Sequence, residues 1–292
     1  MRVLVLVIVS FDKPVYYDML RLWRERIVKN DCADVWFIQC KSGAEWVGDI
    51  VNDIGEPLRS SPMTPPLCGQ SQSQSVNDFE SLGSQSLGSQ SLGSQSLGSQ
   101  SLGSQSLGSQ SLKDRFELDI ANKTLFIRGD ECLIPGILHK TVEALSFFLS
   151  VDPSIEFVWR TNLSSVLDFE GLQRYLEIIN SSGVYGGYIG LGSLNNGSST
   201  FFASGAGFLM SRDVAKYLVE NKQFLRWDLI DDVAIGALLE PKFSIVPIDR
   251  CWVQTGSEDI SETKGVFHYR CESYQHLRTV EFMQYVVRGL GK

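Results

Sequence analysis

The sequence predicts an α/β protein, a three-layer α/β/α sandwich over a mostly parallel central sheet. Three observations lead there. The chain opens on VLVLVIV, a continuous Val-rich apolar run of the kind found in strands covered on both faces. Short apolar runs then alternate with segments whose apolar residues recur at helical spacing. Six copies of SLGSQ run from Ser81 to Gln110 behind a Ser/Gln/Pro-rich stretch reaching back to about Ser60. Without them about 240 of the 292 residues remain, which is one core's worth.

The first run carries one Arg and then seven apolar residues, so it has the outline of a signal peptide. It is short for an apolar signal region and reaches Ser10-Phe11-Asp12 without a small-residue cleavage pattern, so a buried strand is the better reading. PVYYDMLRLWRERIV follows with Tyr17, Leu20, Leu22, Trp23 and Ile27 at helical spacing, then DVWFIQC as a second strand, giving β-α-β. From Pro57 to Leu112 no periodicity survives. A segment that buries so little apolar area cannot offset its chain entropy, and one Leu per repeat is too little core for a stacked solenoid, so a flexible insertion is expected.

Structure should resume at FELDIANKTLFIRG, with ANK turning a small hairpin, and continue in IPGILHKTVEALSFFL, a helix with Pro135 near its first turn. EFVWRTN is the next strand. Asp168 can cap FEGLQRYLEII, where Leu172, Tyr175, Leu176 and Ile179 form the apolar stripe before Asn180-Ser181-Ser182-Gly183 ends the helix. GVYGGYIG reads as a Gly-interrupted strand and FFASGAGFLM follows it. Ser211 can cap RDVAKYLVENK, Asp231 can cap DVAIGALLE, and FSIVPI closes with a strand. The expected organisation is a nucleotide-binding half over residues 1–58, a low-complexity insertion over 59–112 and the remainder of the same domain over 113–292.

Composition narrows the function. A net charge of −8 and a pI near 5.0 argue against nucleic-acid binding, which needs a clustered basic surface. With 43% hydrophobic residues, a mean hydropathy of −0.02 and no apolar run near the roughly 18 residues of a span, a membrane protein is excluded. The six Cys residues, at 32, 40, 68, 132, 251 and 271, form no CxxC pair, and most read as small buried hydrophobes in a reducing compartment.

Taken in order, FVWRTNLSSVLDFEGLQRYL, GGYIG, SGAGFLMSRDVAKYL and DDVAIGALL resemble successive blocks of the β-1,3-glycosyltransferases of the galactosyltransferase and Fringe type. LHKTVEAL resembles that family's LxxKTxxxL helix. The resemblance covers about Gly129 to Ile248, with the first 58 residues matching only as a generic nucleotide-binding half. It implies a GT-A fold, a nucleotide-sugar donor such as a UDP-hexose, and transfer with inversion to a hydroxyl of a glycan or glycoprotein. It also implies that Asp232, the second acid of the DD pair, is the general base. The helix macrodipole is expected to keep Asp231 and Asp232 ionised.

Ligands of open α/β sheets bind beyond the carboxyl ends of the strands, which here are Ser10 and Asp12, then Arg160, Thr161 and Asn162. Ser10 and Asp12 serve a nucleotide or simply begin the following helix. The small residues of SGAGF, Gly205 and Ala206 among them, form a sugar-contacting turn or a β-bulge beside the core.

The sequence departs from the family where an acidic DxD triplet should follow the central strand, because Asn162-Leu163-Ser164 stands there instead. An Asn and a Ser hydroxyl are poor ligands for a hard divalent cation, which puts metal dependence in question. GVFHYR resembles the Fringe-type FHxH element, so His268 is a candidate metal ligand. Alternatively Lys140, Arg160, Arg250, Lys264 and Arg270 offset the charge of the leaving diphosphate, although Arg160 also reads as one half of a surface ion pair. A competing reading is a catalytically inactive nucleotide-sugar or glycan-binding module of the same fold. A plain Rossmann-type domain is weaker, since no GxGxxG follows the first strand. Animal members of the family carry a membrane anchor and a luminal stem; neither is present here, so a cytoplasmic protein is expected.

Overall fold

The computed structural model describes residues 1–10, 13–28, 32–42, 115–194, 197–248, 251–254, 265–271 and 278–290. The chain divides into two units, Met1–Asp49 with Ser111–Lys292 and Ile50–Gln110, and every described residue belongs to the first. The SLGSQ repeats, Asp12, Arg250 and Lys264 lie outside the described residues.

Strand β1 (Val3–Ile8) is buried along its whole length. Val3, Val5, Val7 and Val9 enter one apolar core and Leu4, Leu6 and Ile8 the other, which is why the run shows no polar alternation. Helix α1 (Val15–Leu22) continues as a π-helical turn over Trp23–Ile27 and returns the chain to β2 (Asp34–Lys41), parallel to β1. Its buried stripe begins at Met19 rather than Tyr17, which stays solvent-exposed. The expected hairpin is present as β3 (Phe116–Asp119) and β4 (Thr124–Arg128), with β4 parallel to β2.

Helix α2 (Gly136–Val151) then crosses back, so that β5 (Phe157–Asn162) lies parallel to β1 on its other flank. Next in the sheet come β8 (Ser199–Ser211), antiparallel to β5, then β7 (Tyr185–Ser193) and β9 (Ile245–Pro247). The full order is β3-β4-β2-β1-β5-β8-β7-β9. Helices α2, α4 (Arg212–Glu220) and α5 (Asp231–Leu239) contribute to the core on one sheet face; α1, α3 (Phe169–Leu176) and α6 (Thr279–Leu290) contribute to the core on the other. The α/β class and a large mixed, mostly parallel sheet are therefore as expected. No helix among the described residues is long and apolar enough to cross a membrane.

A second sheet was not legible in the sequence: β10 (Cys251–Gln254), β11 (His268–Cys271) and β6 (Ser165–Leu167), with β11 central. The three expected helix caps also differ. Asp168 and Ser211 hold the cap positions without a capping side-chain hydrogen bond, the Ser211 hydroxyl donating to Asp213 Oδ1 at 2.5 Å instead. Ile230, not Asp231, is the cap residue of α5, and both acids stand in its first turn.

Packing behind β8 is close enough to test. A Cβ on Gly207 would lie 2.6 Å from His268 Nε2 and 3.0 Å from Trp159 Cζ2, both in fully buried side chains. Gly207→Ala should therefore destabilise the fold by about 1–3 kcal/mol, read as a fall of several degrees in thermal unfolding. An unchanged midpoint would contradict this packing.

Candidate active site

After β1 the chain turns toward β2 and β4, and after α2 it resumes on the opposite flank at β5. The carboxyl ends of β1 and β5 therefore bound a topological switch point, where connections diverge and leave a crevice. A cleft of ≈ 590 Å³ opens there, and Ser10, Arg160, Asn162, Ser164, Gly205, Ala206, Asp231, Asp232 and Arg270 all line it.

The SGAGF segment is not a turn. It runs inside the continuous strand β8, and its irregularity is a bulge: Gly187 pairs Phe208 and Ile189 pairs Ala203, so Ser204 to Gly207 stand opposite the single residue Tyr188. Such a bulge lifts backbone out of the ladder and aims it. The Gly205 amide donates to Asp232 Oδ2 at 2.8 Å, while the Gly205 carbonyl accepts from Arg160 Nη1 and from Asn162 Nδ2, the latter at 3.3 Å. A Cβ at Gly205 would sit 3.2 Å from Arg160 Nη1 and 3.3 Å from Asp232 Oδ2, so close approach rather than backbone strain favours glycine here.

The two acids of α5 are not equivalent. Asp231 Oδ2 accepts from Arg160 Nη2 at 2.5 Å in an ion pair where the side chains are 11% and 3% exposed. Asp232 accepts from the Gly205 amide and from its own neighbour's amide, Val233, at 2.9 Å. A carboxylate bound in this way still has lone pairs to offer the cleft. Burial and the Asp231 charge raise the Asp232 carboxyl above the ordinary carboxylate range, against the opposing pull of the Gly205 amide, Arg160 and the Val233 amide. Burial thus works against the helix macrodipole that was expected to favour the ionised form.

Asn162 is the last residue of β5. Its Oδ1 accepts from Arg270 Nη1 and from the hydroxyls of Ser164 and Ser165, each at 3.2 Å. A guanidinium therefore touches the oxygen a cation would need. With a neutral amide, two hydroxyls and this guanidinium as its surroundings, the position does not fit a hard divalent ion.

Three other candidates among the described residues, Thr161, Lys140 and His268, do not line the cleft. Thr161 is buried and its hydroxyl donates to Ala206 O at 2.9 Å, fastening the bulge from beneath. Lys140 is fully buried, and its Nζ donates to Val9 O and Glu131 Oε2, both at 2.5 Å, while Glu131 Oε1 accepts the Cys40 amide at 2.8 Å. It pins the end of β1 beside β2. His268 is 1% exposed, lies against Trp159 with ring centroids 5.4 Å apart, and places Nε2 3.4 Å from Thr161 Oγ1. Burial first, and then the charge of Arg270, lower its pKa to about 3, so it is a neutral core imidazole. Tyr188, Leu133 and Ile230 also line the cleft and were not anticipated.

No protein-family model matches the chain, and no curated protein matches it in sequence.

Proposed function

We propose that this chain is an inverting GT-A-type glycosyltransferase, moving a hexose from a UDP-sugar to a hydroxyl of a glycan or glycoprotein. The observation that carries the reading is Asp232: a carboxylate with a raised pKa, held by a bulge amide in a cleft at the sheet's switch point. Its partner acid is already neutralised by Arg160, so one carboxylate remains for chemistry.

In this mechanism ionised Asp232 takes the proton of the acceptor hydroxyl. The oxygen attacks the anomeric carbon as the bond from that carbon to the diphosphate oxygen breaks. UDP departs with the bonding pair, and the configuration inverts. Charge growing on the diphosphate needs a fixed cation, and two guanidiniums line the cleft: Arg270, bonded to Asn162, takes this role, while Arg160 is bonded to Asp231 and Gly205. Lys140 is engaged with Glu131 and does not line the cleft.

The test is a donor panel of UDP-galactose, UDP-N-acetylglucosamine, UDP-glucose and GDP-sugars, each with Mn²⁺ and with chelator, scored for transfer or donor hydrolysis. Turnover of a UDP-sugar that survives chelation is expected. Strict Mn²⁺ dependence would remove Arg270 from the role given to it. A UDP-sugar that binds without turnover under both conditions would favour the inactive binding module, a reading that the replacement of an acidic triplet by Asn162 keeps in play.

A further inference from the structure

The lining of the cleft is mixed: Ser10, Asn162, Ser164 and Arg270 supply polar and cationic groups, and Leu133, Tyr188 and Ile230 are among those that supply large apolar ones. Leu133 and Tyr188 are each 65% exposed and Ile230 is 41% exposed, although all three are large hydrophobic side chains. Large apolar side chains left exposed along the rim of a polar cleft are surface that a bound ligand would cover. Its place is specific. Tyr188 is the residue opposite the β8 bulge whose Gly205 amide holds Asp232, and Ile230 immediately precedes the acidic pair.

We infer that this rim, with the Tyr188 ring as its platform, is the acceptor subsite and takes a pyranose by one of its C–H faces. The inference rests on the glycosyltransferase reading and adds to it the place and chemistry of acceptor binding. A pyranose suits such side chains because its ring carbons present a patch of C–H bonds while its hydroxyls project from the ring's edge. Stacking that patch on Tyr188 leaves one hydroxyl free to meet Asp232, which the bulge holds beside the platform. A diphosphate is too strongly hydrated and charged to seat on an aromatic face, and the polar and cationic lining residues supply its donors.

The experiment is saturation-transfer NMR on the full chain with UDP bound, titrating methyl β-D-galactopyranoside and methyl N-acetyl-β-D-glucosaminide, with UDP affinity measured in parallel. Saturation should concentrate on the ring C–H protons of a glycoside. Tyr188→Ala should weaken that contact by roughly tenfold, and Tyr188→Phe should retain it, with UDP affinity unchanged in both. Because Tyr188 is exposed, the Ala variant keeps its fold. UDP binding without saturation of either glycoside, or saturation indifferent to Tyr188→Ala, overturns the subsite. A fall in UDP affinity in Tyr188→Ala overturns it too, because it would make the ring a base-stacking surface. Failure of the wild-type chain to bind UDP at all would instead remove the glycosyltransferase reading, and this inference with it.

Discussion

Asp232→Asn is expected to lower sugar transfer by roughly 10²-fold or more while UDP affinity holds. The amide keeps the shape of the carboxylate and can still accept from the Gly205 amide, but it cannot take the acceptor's proton. Stability should respond in the opposite sense. The folded pKa of Asp232 lies above its unfolded value, chiefly through burial, so the proton is held more tightly in the native state. That contribution is fully present below the unfolded carboxylate pKa and is lost as pH rises through the folded one. At neutral pH the wild type therefore carries the cost of a desolvated charge, and the Asn variant should melt no lower than wild type. The difference should shrink as pH falls. The same shift displaces the acid limb of the wild-type rate profile upward from the usual carboxylate range, because only ionised Asp232 acts as base. Thermal unfolding beside initial rates, from about pH 4 to 8, checks all three. Wild-type turnover in the Asn variant would remove Asp232 from the chemistry.

How much of this was legible follows from where each signal resides. The burial of β1 on both faces is written in its unbroken Val/Leu run, and the β3–β4 hairpin in a turn between two apolar stretches. Both are local. The small sheet is not, because Ser165–Leu167 is three residues long and finds its partner in His268–Cys271, far along the chain. A strand so short has no period of its own. The same limit separates the site residues that met from those that did not. Asn162 ends a strand, Gly205 lies in a run of small residues and Asp232 begins a helix, all signals local to the sequence, and the fold brings the three to one cleft. Lys140 carries a charge that suggested a ligand, but nothing local announces Glu131 and the Val9 carbonyl as its partners. Tyr188 was missed because the bulge, not the alternation of YGGYIG, decides where its ring goes.

Arg160→Ala should cost about 3–5 kcal/mol of folding stability, the range for breaking a buried ion pair from one side. The sequence suggested that this residue meets the diphosphate. In the structure it lines the cleft and is held within it: Nη2 holds Asp231 at 2.5 Å, Nη1 holds the Gly205 carbonyl, and the guanidinium lies 5.5 Å from the Phe208 ring centroid. Removing it leaves Asp231, 8% exposed, as an uncompensated buried charge and takes a donor from the bulge. It also removes one of the influences that lower the Asp232 pKa, so the acid limb of the rate profile should move further upward in any protein that folds. Arg160→Lys should recover only part of the loss, since an ammonium on a flexible stem does not present the planar fork that reaches a carboxylate and a carbonyl together. Arg160→Met combined with Asp231→Leu should recover more, because it replaces the pair with apolar volume instead of stranding one charge. Denaturant unfolding of the three variants separates structural from ligand-binding roles. If Arg160→Ala unfolds at the wild-type midpoint yet no longer binds UDP, the guanidinium belongs to the diphosphate after all, and the Asp231 pair is incidental to the fold.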